Sequence, residues 1–145
     1  MKLVAKYFEE LTTSELYEIL KARAEIFVVE QNCVYQDLDG TDHRSLHIYY
    51  EEGGQVLAYL RAFAKTDMEN TVQVGRVLSI EHGIGLGGKI LKEGLKVICE
   101  RMNPKCIYIE AQCYAVGYYE KVGFEICSEE FLEDGIPHVQ MKLNR

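Results

Sequence analysis

The chain has 145 residues, a length that suits one domain (residues 1–145) with a core large enough to fold without disulfides or metal. Apolar residues make up 48% and charged residues 27% of the sequence, which argues against disordered, collagen-like and low-complexity proteins. The net charge of −7 argues against nucleic-acid binding, because that function needs a basic surface.

The first half of the chain predicts a strand, a helix, a loop and a three-stranded meander. Thr12 and Glu15 form a capping box, so a helix follows the short first strand at 3–8. Residues 30–42 have no helical period and are predicted to form a loop. The next three strands have short polar connections, which predict antiparallel pairing. These strands are 46–50, 56–64 and 72–80. The buried stripe of the helix is predicted to contain Leu16, Ile19, Leu20, Arg23, Ile26 and Phe27.

The second half predicts a crossover from the meander to a further strand. A helix begins near Lys89 and stops at Asn103-Pro104, and residues 106–111 follow as a buried strand. Such a strand–helix–strand passage is parallel and right-handed. The closing segments are a short helix at 114–122, strands at 124–128 and 138–143, and an acidic turn at 129–135. The predicted class is α/β (α+β): a mixed, mostly antiparallel sheet flanked by helices, in the order β-α-β-β-β-α-β-α-β-β.

Membrane insertion, export and zinc binding are not predicted. No apolar run approaches the ~18 residues of a membrane span, and the N-terminus lacks the apolar stretch of a signal peptide. The five cysteines are an odd number without a C-x-x-C pair, so we expect reduced thiols in a cytoplasmic protein. Their spacings match no zinc knuckle, and no metal site is predicted.

A glycine-rich loop between strand and helix predicts phosphate binding, because N–H groups and the dipole at a helix start attract anions. Gly83 to Lys89 matches a Walker A loop, but Ile90 lacks the hydroxyl that binds magnesium, so a nucleoside triphosphate is not expected. The loop also matches a dinucleotide fingerprint, with Glu110 22 residues past Gly88. The antiparallel meander before the loop does not fit a dinucleotide-binding fold.

Two motifs together resemble a known family. The segment His82-Gly-Ile-Gly85-Leu-Gly87 stands where that family has Q/R-x-x-G-x-G/A, and Tyr119-Glu-Lys-Val-Gly123-Phe124 matches its later tyrosine-to-Gly-Phe motif. In order and spacing, across essentially the whole chain, the sequence resembles the GNAT superfamily of acetyl-CoA-dependent N-acetyltransferases. It resembles the ElaA-like branch more narrowly, through the segments 27–35, 75–77 and 134–138.

The resemblance implies acetyl-CoA as the cofactor. Its pantetheine arm is expected to pair with the strand before the glycine loop, and a backbone N–H near Leu78 is the expected oxyanion donor. His82 replaces the usual Arg or Gln, so Lys89 and Lys92 are expected to supply positive charge. The expected cofactor-binding residues are Leu78, Ser79, Ile80, His82, Gly83, Ile84, Gly85, Leu86, Gly87, Gly88, Lys89, Gln112 and Tyr119.

Acetyl transfer also needs an acid and a base. Tyr119 is the expected acid, because a phenol with a pKa of ~10 can protonate a thiolate leaving group. The base is left open between Glu110, Glu30 and a chain of water molecules. Arg61 and Arg76 lie on strands, where charge is unusual, and are expected to pair with those carboxylates or to hold a carboxylate of the acceptor. The expected acceptor-binding residues are Tyr35, His47, Arg61, Arg76 and His138.

The predicted function is transfer of acetyl from acetyl-CoA to a primary amine, on a small molecule or a protein, by direct attack in a ternary complex. The alternative is a non-catalytic acyl-CoA-binding or regulatory module. Homodimers are common among similar proteins. Residues 30–42 carry −4 and residues 125–134 carry −5, whereas 82–101 carries +2. This segregation leaves two interpretations open, attraction of a cationic amine and a merely solvated acidic rim.

Overall fold

One sheet of eight strands, flanked by helices, runs through the computed structural model, which describes residues 1–145. The strands are β1 (Lys2–Tyr7), β2 (Leu46–Glu52), β3 (Gln55–Ala64), β4 (Thr71–Ser79), β5 (Cys106–Gln112), β6 (Glu125–Ile126), β7 (Phe131–Glu133) and β8 (Ile136–Asn144). The α-helices are α1 (Thr13–Arg23), α2 (Leu86–Met102) and α3 (Val116–Glu120). None of the helices combines the length and the apolar character needed to cross a membrane.

The sheet order is β1-β2-β3-β4-β5-β8-β6, and β7 pairs with β8. Strands β1 to β4 are antiparallel neighbours, β4 and β5 are parallel, and β8 is antiparallel to each of its partners. The predicted mixed, mostly antiparallel sheet is therefore confirmed, as is the parallel crossover through α2.

The structure has one strand more than predicted, because the acidic segment 129–135 is not a simple turn. Strand β7 pairs with β8 around a two-residue loop formed by Asp134 and Gly135. Both loop residues have positive φ, at 51° and 76°. Two consecutive residues with positive φ make the turn whose twist matches that of a hairpin. The Asp-Gly pair was therefore a hairpin signal, which the surrounding charges obscured.

Helix α1 begins where its capping box predicts, with the Glu15 amide donating to Thr12 Oγ1 over 3.1 Å and the Thr12 amide donating to Glu15 Oε1 over 2.8 Å. It continues without a break into a π-helical segment, Ala24–Glu30. The predicted loop therefore begins one residue later than expected, at residue 31. Such π-helical turns are often found at functional sites.

Two apolar cores hold the helices on opposite faces of the sheet. The larger has 18 buried residues, including Leu60 on β3 and Leu91 on α2, and the smaller has 8, including Ile19 on α1 and Tyr59 on β3. Helix α2 starts at Leu86, three residues before its predicted start. The first turn contains Gly87 and Gly88, and glycine is unfavourable inside a helix. The sequence therefore predicted a start after these two residues.

Strands β4 and β5 separate halfway along their length. Their pairing ends at Val74 opposite Ile109. Beyond that point, β4 has a bulge, since Arg76 and Val77 have no partners on β3 and only Leu60 stands opposite them. The separation opens a gap through the sheet, and this gap positions the site described next.

Candidate active site

A cavity of about 510 Å³ lies where β4 and β5 separate. Its walls come from the β4 bulge, the end of β5, the loop after the π-helical segment and the β7–β8 hairpin. The lining includes Tyr35, Arg76, Glu110, Tyr119, Glu133 and His138. A second cavity of about 390 Å³ adjoins it and shares Gln31, Gln112, Tyr114 and Ile136 with it. The two cavities form one cleft, which we call the central cleft.

Tyr119 lies on α3 and lines the larger cavity. Its ring packs edge-on against Phe124, with 5.8 Å between the ring centroids. Burial raises the pKa of the Tyr119 hydroxyl above the ordinary value for tyrosine. The hydroxyl therefore stays protonated at neutral pH, which is the form that a general acid requires.

Glu110 is the first residue of β5 after the last pair with β4. Its carboxylate accepts hydrogen bonds from the Tyr108 hydroxyl over 3.2 Å and from the Gln73 side-chain amide over 3.4 Å. It lines the same cavity as Tyr119. An acid and a base candidate thus share one cavity at the point where the strands diverge.

Glu133, which the sequence did not indicate, lies at the end of β7 in the cavity wall with its side chain 48% exposed. Burial is the main cause of a raised pKa of its carboxyl group, and the nearby charge of Glu110 adds to it. The Nε2 atom of His138 lies 3.5 Å from its carboxylate. An Asp-Gly pair predicts a hairpin turn, and using that prediction would have placed Glu133 on a strand paired with β8.

His47 was predicted for the acceptor site, and that prediction is wrong. Its side chain is fully buried and lines neither cavity of the central cleft. Nδ1 is 2.7 Å from the Tyr59 hydroxyl and Nε2 is 3.0 Å from the Asp42 carbonyl oxygen. Burial lowers its pKa, so the ring is neutral and structural.

The predicted partners of Arg61 and Arg76 are also wrong, since neither arginine pairs with Glu110 or Glu30. Arg61 binds Asp39 over 2.5 Å and Asp42 over 2.9 Å, and Arg76 binds Asp37 over 2.8 Å. The long side chains reach across the sheet to the loop after the π-helical segment, which lies over this face.

Arg23 completes a cluster of three arginines and three aspartates. It is fully buried at the end of α1, 2.9 Å from Asp37 and 2.6 Å from Asp42. We call these six residues the Arg–Asp cluster: Arg23, Asp37, Asp39, Asp42, Arg61 and Arg76. Because its charges balance, three of the four carboxylates in residues 30–42 are neutralised, and this segment is not the free acidic surface that its composition suggests.

Tyr35 lines the larger cavity and also supports the cluster. Its hydroxyl donates to Asp37 Oδ1 over 2.8 Å, and its ring lies 5.6 Å from the Arg76 guanidinium carbon. Burial is the main reason that its pKa is raised, so it remains a hydrogen-bond donor at neutral pH.

Two left-handed glycines shape the loop before α2. Gly83 and Gly85 have φ angles of 83° and 80°, and α2 begins directly after Gly85. The start of α2 has no side-chain cap, and its first turn contains no acidic residue. The first N–H groups of a helix have no backbone partner within it, so they form a donor set that fits phosphate groups. The ammonium group of Lys89, in the same first turn, lies 5.4 Å from the centroid of the Tyr50 ring.

Two side-chain contacts cross the cleft, one from Glu30, at the end of the π-helical segment, and one from the next residue, Gln31. Nε2 of His82 lies 2.6 Å from Glu30 Oε1. The side-chain amides of Gln31 and Gln112 exchange hydrogen bonds of 3.3 and 3.4 Å. Glu30 therefore lies in the smaller cavity beside the glycine loop, apart from Glu110.

Comparison with known proteins agrees with this geometry. Residues 11–145 match the family model described as the acetyltransferase (GNAT) domain. The chain belongs to the GNAT family. It is 37% identical to a UPF0039 protein of Schizosaccharomyces pombe, over 99% of this chain and 97% of the relative. It is 35% identical to the ElaA protein of Escherichia coli K12, over 93% of this chain and 91% of ElaA.

Solved structures show the same GNAT fold at similar identity. An acyl-CoA N-acyltransferase from Pseudomonas aeruginosa superposes with a TM-score of 0.90 at 36% identity, covering 99% of each chain. Escherichia coli ElaA superposes with a TM-score of 0.92, covering 99% of this chain and 100% of ElaA. The predicted ElaA-like resemblance is thus confirmed, and membership of the GNAT family supports acyl-CoA-dependent acyltransferase activity.

In this GNAT chain, most of the predicted acid, base and acceptor residues meet in one cavity. The larger cavity contains Tyr35, Arg61, Arg76, Glu110, Gln112, Tyr119 and His138. Glu30 and His82 lie in the smaller cavity. The edge of β4 beyond Val74, which includes the predicted residues Leu78 and Ser79, has no strand partner on the side of β5.

Replacing His82 with arginine is expected to lower the Kd for acetyl-CoA by about threefold to tenfold. A neutral histidine that donates from Nε2 to Glu30 has no second N–H to offer, whereas arginine has five donors and a permanent charge, so it can keep Glu30 and also reach phosphate. Calorimetric titration measures the change. The control is His43→Arg, at an exposed position of the turn 42–44. An unchanged Kd would mean that residue 82 does not face the phosphates.

Proposed function

We propose that this GNAT protein transfers an acetyl group from acetyl-CoA to a primary amine by direct attack in a ternary complex. The observation that carries the proposal is that Tyr119 and Glu110 line one cavity where β4 and β5 separate. The glycine loop that precedes α2 supports the choice of a phosphate-bearing donor. We also propose a cytoplasmic location, since five cysteines without a C-x-x-C pair suit a reducing compartment.

The residues present fit coenzyme A. The N–H groups at the start of α2 and Lys89 would bind its phosphates, and the free edge of β4 at Leu78 and Ser79 would pair with the pantetheine arm. Gln112, at the end of β5, would contact the arm from the opposite side of the gap. When bound, acetyl-CoA supplies the acetyl group as an activated thioester.

The chain's own groups then manage protons and charge. The Glu110 carboxylate takes a proton from the incoming ammonium group, which frees the nitrogen lone pair for attack on the acetyl carbonyl carbon. A backbone N–H near Leu78 stabilises the oxyanion. Tyr119 donates its phenolic proton to the sulfur as the carbon–sulfur bond breaks. Burial raises the pKa of Tyr119, so its hydroxyl is protonated at neutral pH and has a proton to donate.

The charges in the larger cavity favour a cationic acceptor. Arg61 and Arg76 are neutralised within the Arg–Asp cluster, whereas Glu110, Glu133 and Asp134 have no arginine or lysine partner. An ammonium group entering the cavity would therefore meet an excess of negative charge. Both small-molecule amines and protein amines carry this charge at neutral pH.

The proposed function is tested by incubating the protein with acetyl-CoA and a panel of amines. Free thiol and the acetylated product are both detected. Turnover with at least one amine is expected. Binding of acetyl-CoA without thiol release from any amine would instead support a non-catalytic acyl-CoA-binding or regulatory module.

The variant Glu110→Gln is expected to lower kcat/KM for the amine by about 100-fold, because the amide keeps the shape of the carboxylate but cannot accept a proton. Steady-state thiol release measures the change. Glu125→Gln, on the exposed strand β6, removes the same charge outside the cavity and serves as the matched control. If both variants lost activity equally, Glu110 would act through charge alone and not as the base.

A further inference from the structure

Arg76 has an unusual backbone for its position. Its φ is 53°, in the left-handed region that a residue with a Cβ rarely adopts, and it lies in the middle of strand β4. It forms the bulge together with Val77, opposite Leu60. This conformation persists only where the surrounding structure holds it.

The restraint comes from the loop after the π-helical segment. Nε of Arg76 donates to Asp37 Oδ1 over 2.8 Å, and Nη2 donates to the Asp37 carbonyl oxygen over 3.1 Å. Nη2 also lies 3.5 Å from Asp39 Oδ2. Arg76 therefore contacts both the side chain and the backbone of one loop residue.

Asp37 is itself fixed from the other side. The fully buried Arg23 binds its carboxylate over 2.9 Å and its carbonyl oxygen over 3.1 Å, and Tyr35 donates to the same carboxylate over 2.8 Å. Helix α1, the loop and the β4 bulge are thereby joined through Asp37. Two loop residues beside it, Tyr35 and Gln36, line the larger cavity, as do Arg76 and Val77.

We propose that Arg76 is a positioning residue: through Asp37 and Asp39 it holds the β4 bulge in place and so fixes the backbone N–H groups of Val77 and Leu78 beside the acyl group. The inference rests on the proposed acetyl transfer. The loop that lines the acceptor side of the cavity and the strand edge on the acyl side then move as one unit. A 1 Å displacement of such groups is enough to slow a reaction about 100-fold.

Two variants break the link from opposite ends. Arg76→Ala removes the guanidinium from the bulge, and Asp37→Asn weakens its partner while leaving β4 unchanged. The control is Arg101→Ala, an exposed arginine on α2 that donates to the Ala5 carbonyl oxygen away from the cleft. All three variants are compared with the wild-type chain at a temperature below their unfolding transitions. Circular dichroism checks that each variant is folded at that temperature.

The first measurement is amide hydrogen exchange without any substrate. Arg76→Ala and Asp37→Asn are expected to speed exchange of residues 75–79 by about tenfold, while residues 46–52 of β2 keep their protection. The Arg101→Ala control changes neither segment. Unchanged exchange at 75–79 would overturn the proposal, because the cluster would then not hold the bulge. An equal loss of protection in both strands would also overturn it, because the cluster would then stabilise the whole fold.

The second measurement is the split between kcat and cofactor binding. The same two variants are expected to lower kcat by about 100-fold, with a smaller change in the Kd for acetyl-CoA, which is bound chiefly at the glycine loop. Unchanged kcat with loosened exchange would refute the catalytic consequence. A wild-type chain that acetylates no amine would refute the proposed function instead, and the exchange result would still decide whether Arg76 holds the bulge.

Discussion

Replacement of Tyr119 by phenylalanine is expected to lower kcat for acetyl transfer by at least about 100-fold, with little change in acetyl-CoA affinity. Phenylalanine keeps the ring and its edge-on packing against Phe124, so the variant loses the hydroxyl and little else. Without a proton donor, the sulfur must leave as a thiolate. Thiol release under saturating acetyl-CoA measures the loss.

Tyr17→Phe is the matched control, since Tyr17 is 68% exposed on α1 and lies outside the cleft. Wild-type turnover by Tyr119→Phe would remove Tyr119 from the mechanism. The pH profile gives a second check. Burial raises the pKa of Tyr119, and the acid form is the active one, so the alkaline fall in kcat that it causes should lie above pH ~10.

The variant Asp42→Asn is expected to lower the free energy of unfolding by about 3–5 kcal/mol. Asp42 accepts hydrogen bonds from Arg23 over 2.6 Å and from Arg61 over 2.9 Å, and both arginines are buried. Removing one negative charge leaves the Arg–Asp cluster with an uncompensated buried cation. Urea denaturation followed by circular dichroism measures the difference.

Acid titration of stability provides the test of mechanism. The arginines hold the pKa values of Asp39 and Asp42 below the ordinary aspartate value of about 4 despite burial. Their contribution is therefore complete above that pH and is lost as the pH falls through the lowered folded-state values. Asp42→Asn lacks one of these groups, so its stability should depend less steeply on pH in the acid range.

Asp67→Asn is the control, because Asp67 pairs with Lys65 on the surface with its side chain 73% exposed. Its stability should match that of the wild-type chain. Parallel acid profiles for Asp42→Asn and the wild type would show that Asp42 contributes through packing and not through charge.

The parts of this protein that sequence predicts well depend on contacts between near neighbours. The Thr12–Glu15 capping box joins residues three apart, and it set the start of α1. The glycine loop likewise combines a strand end, a turn and a helix start within a few positions. The order of strands and helices around the crossover follows from such local patterns, and together with the two motifs it was enough to identify the GNAT fold.

The composition of the cavity walls was harder to predict, because it depends on residues distant in sequence. Glu133 reaches the cavity only through the β7–β8 hairpin, and the pairing of β4 with β5 ends at Val74, just before the bulge at Arg76 and Val77. The local signal for that bulge is weak: Gly75 lies inside the strand, but an arginine seldom adopts positive φ without tertiary contacts.

The sequence by itself determined the fold, the family and the positions of Tyr119 and the glycine loop, because these follow from short-range patterns. Only the tertiary structure decided the partners of the charged residues. Arg23 lies 19 positions from Asp42, and Arg76 lies 39 positions from Asp37. The choice among several carboxylates at such separations depends on which of them the folded chain brings within hydrogen-bonding distance of a buried guanidinium, since leaving that charge unpaired would be costly.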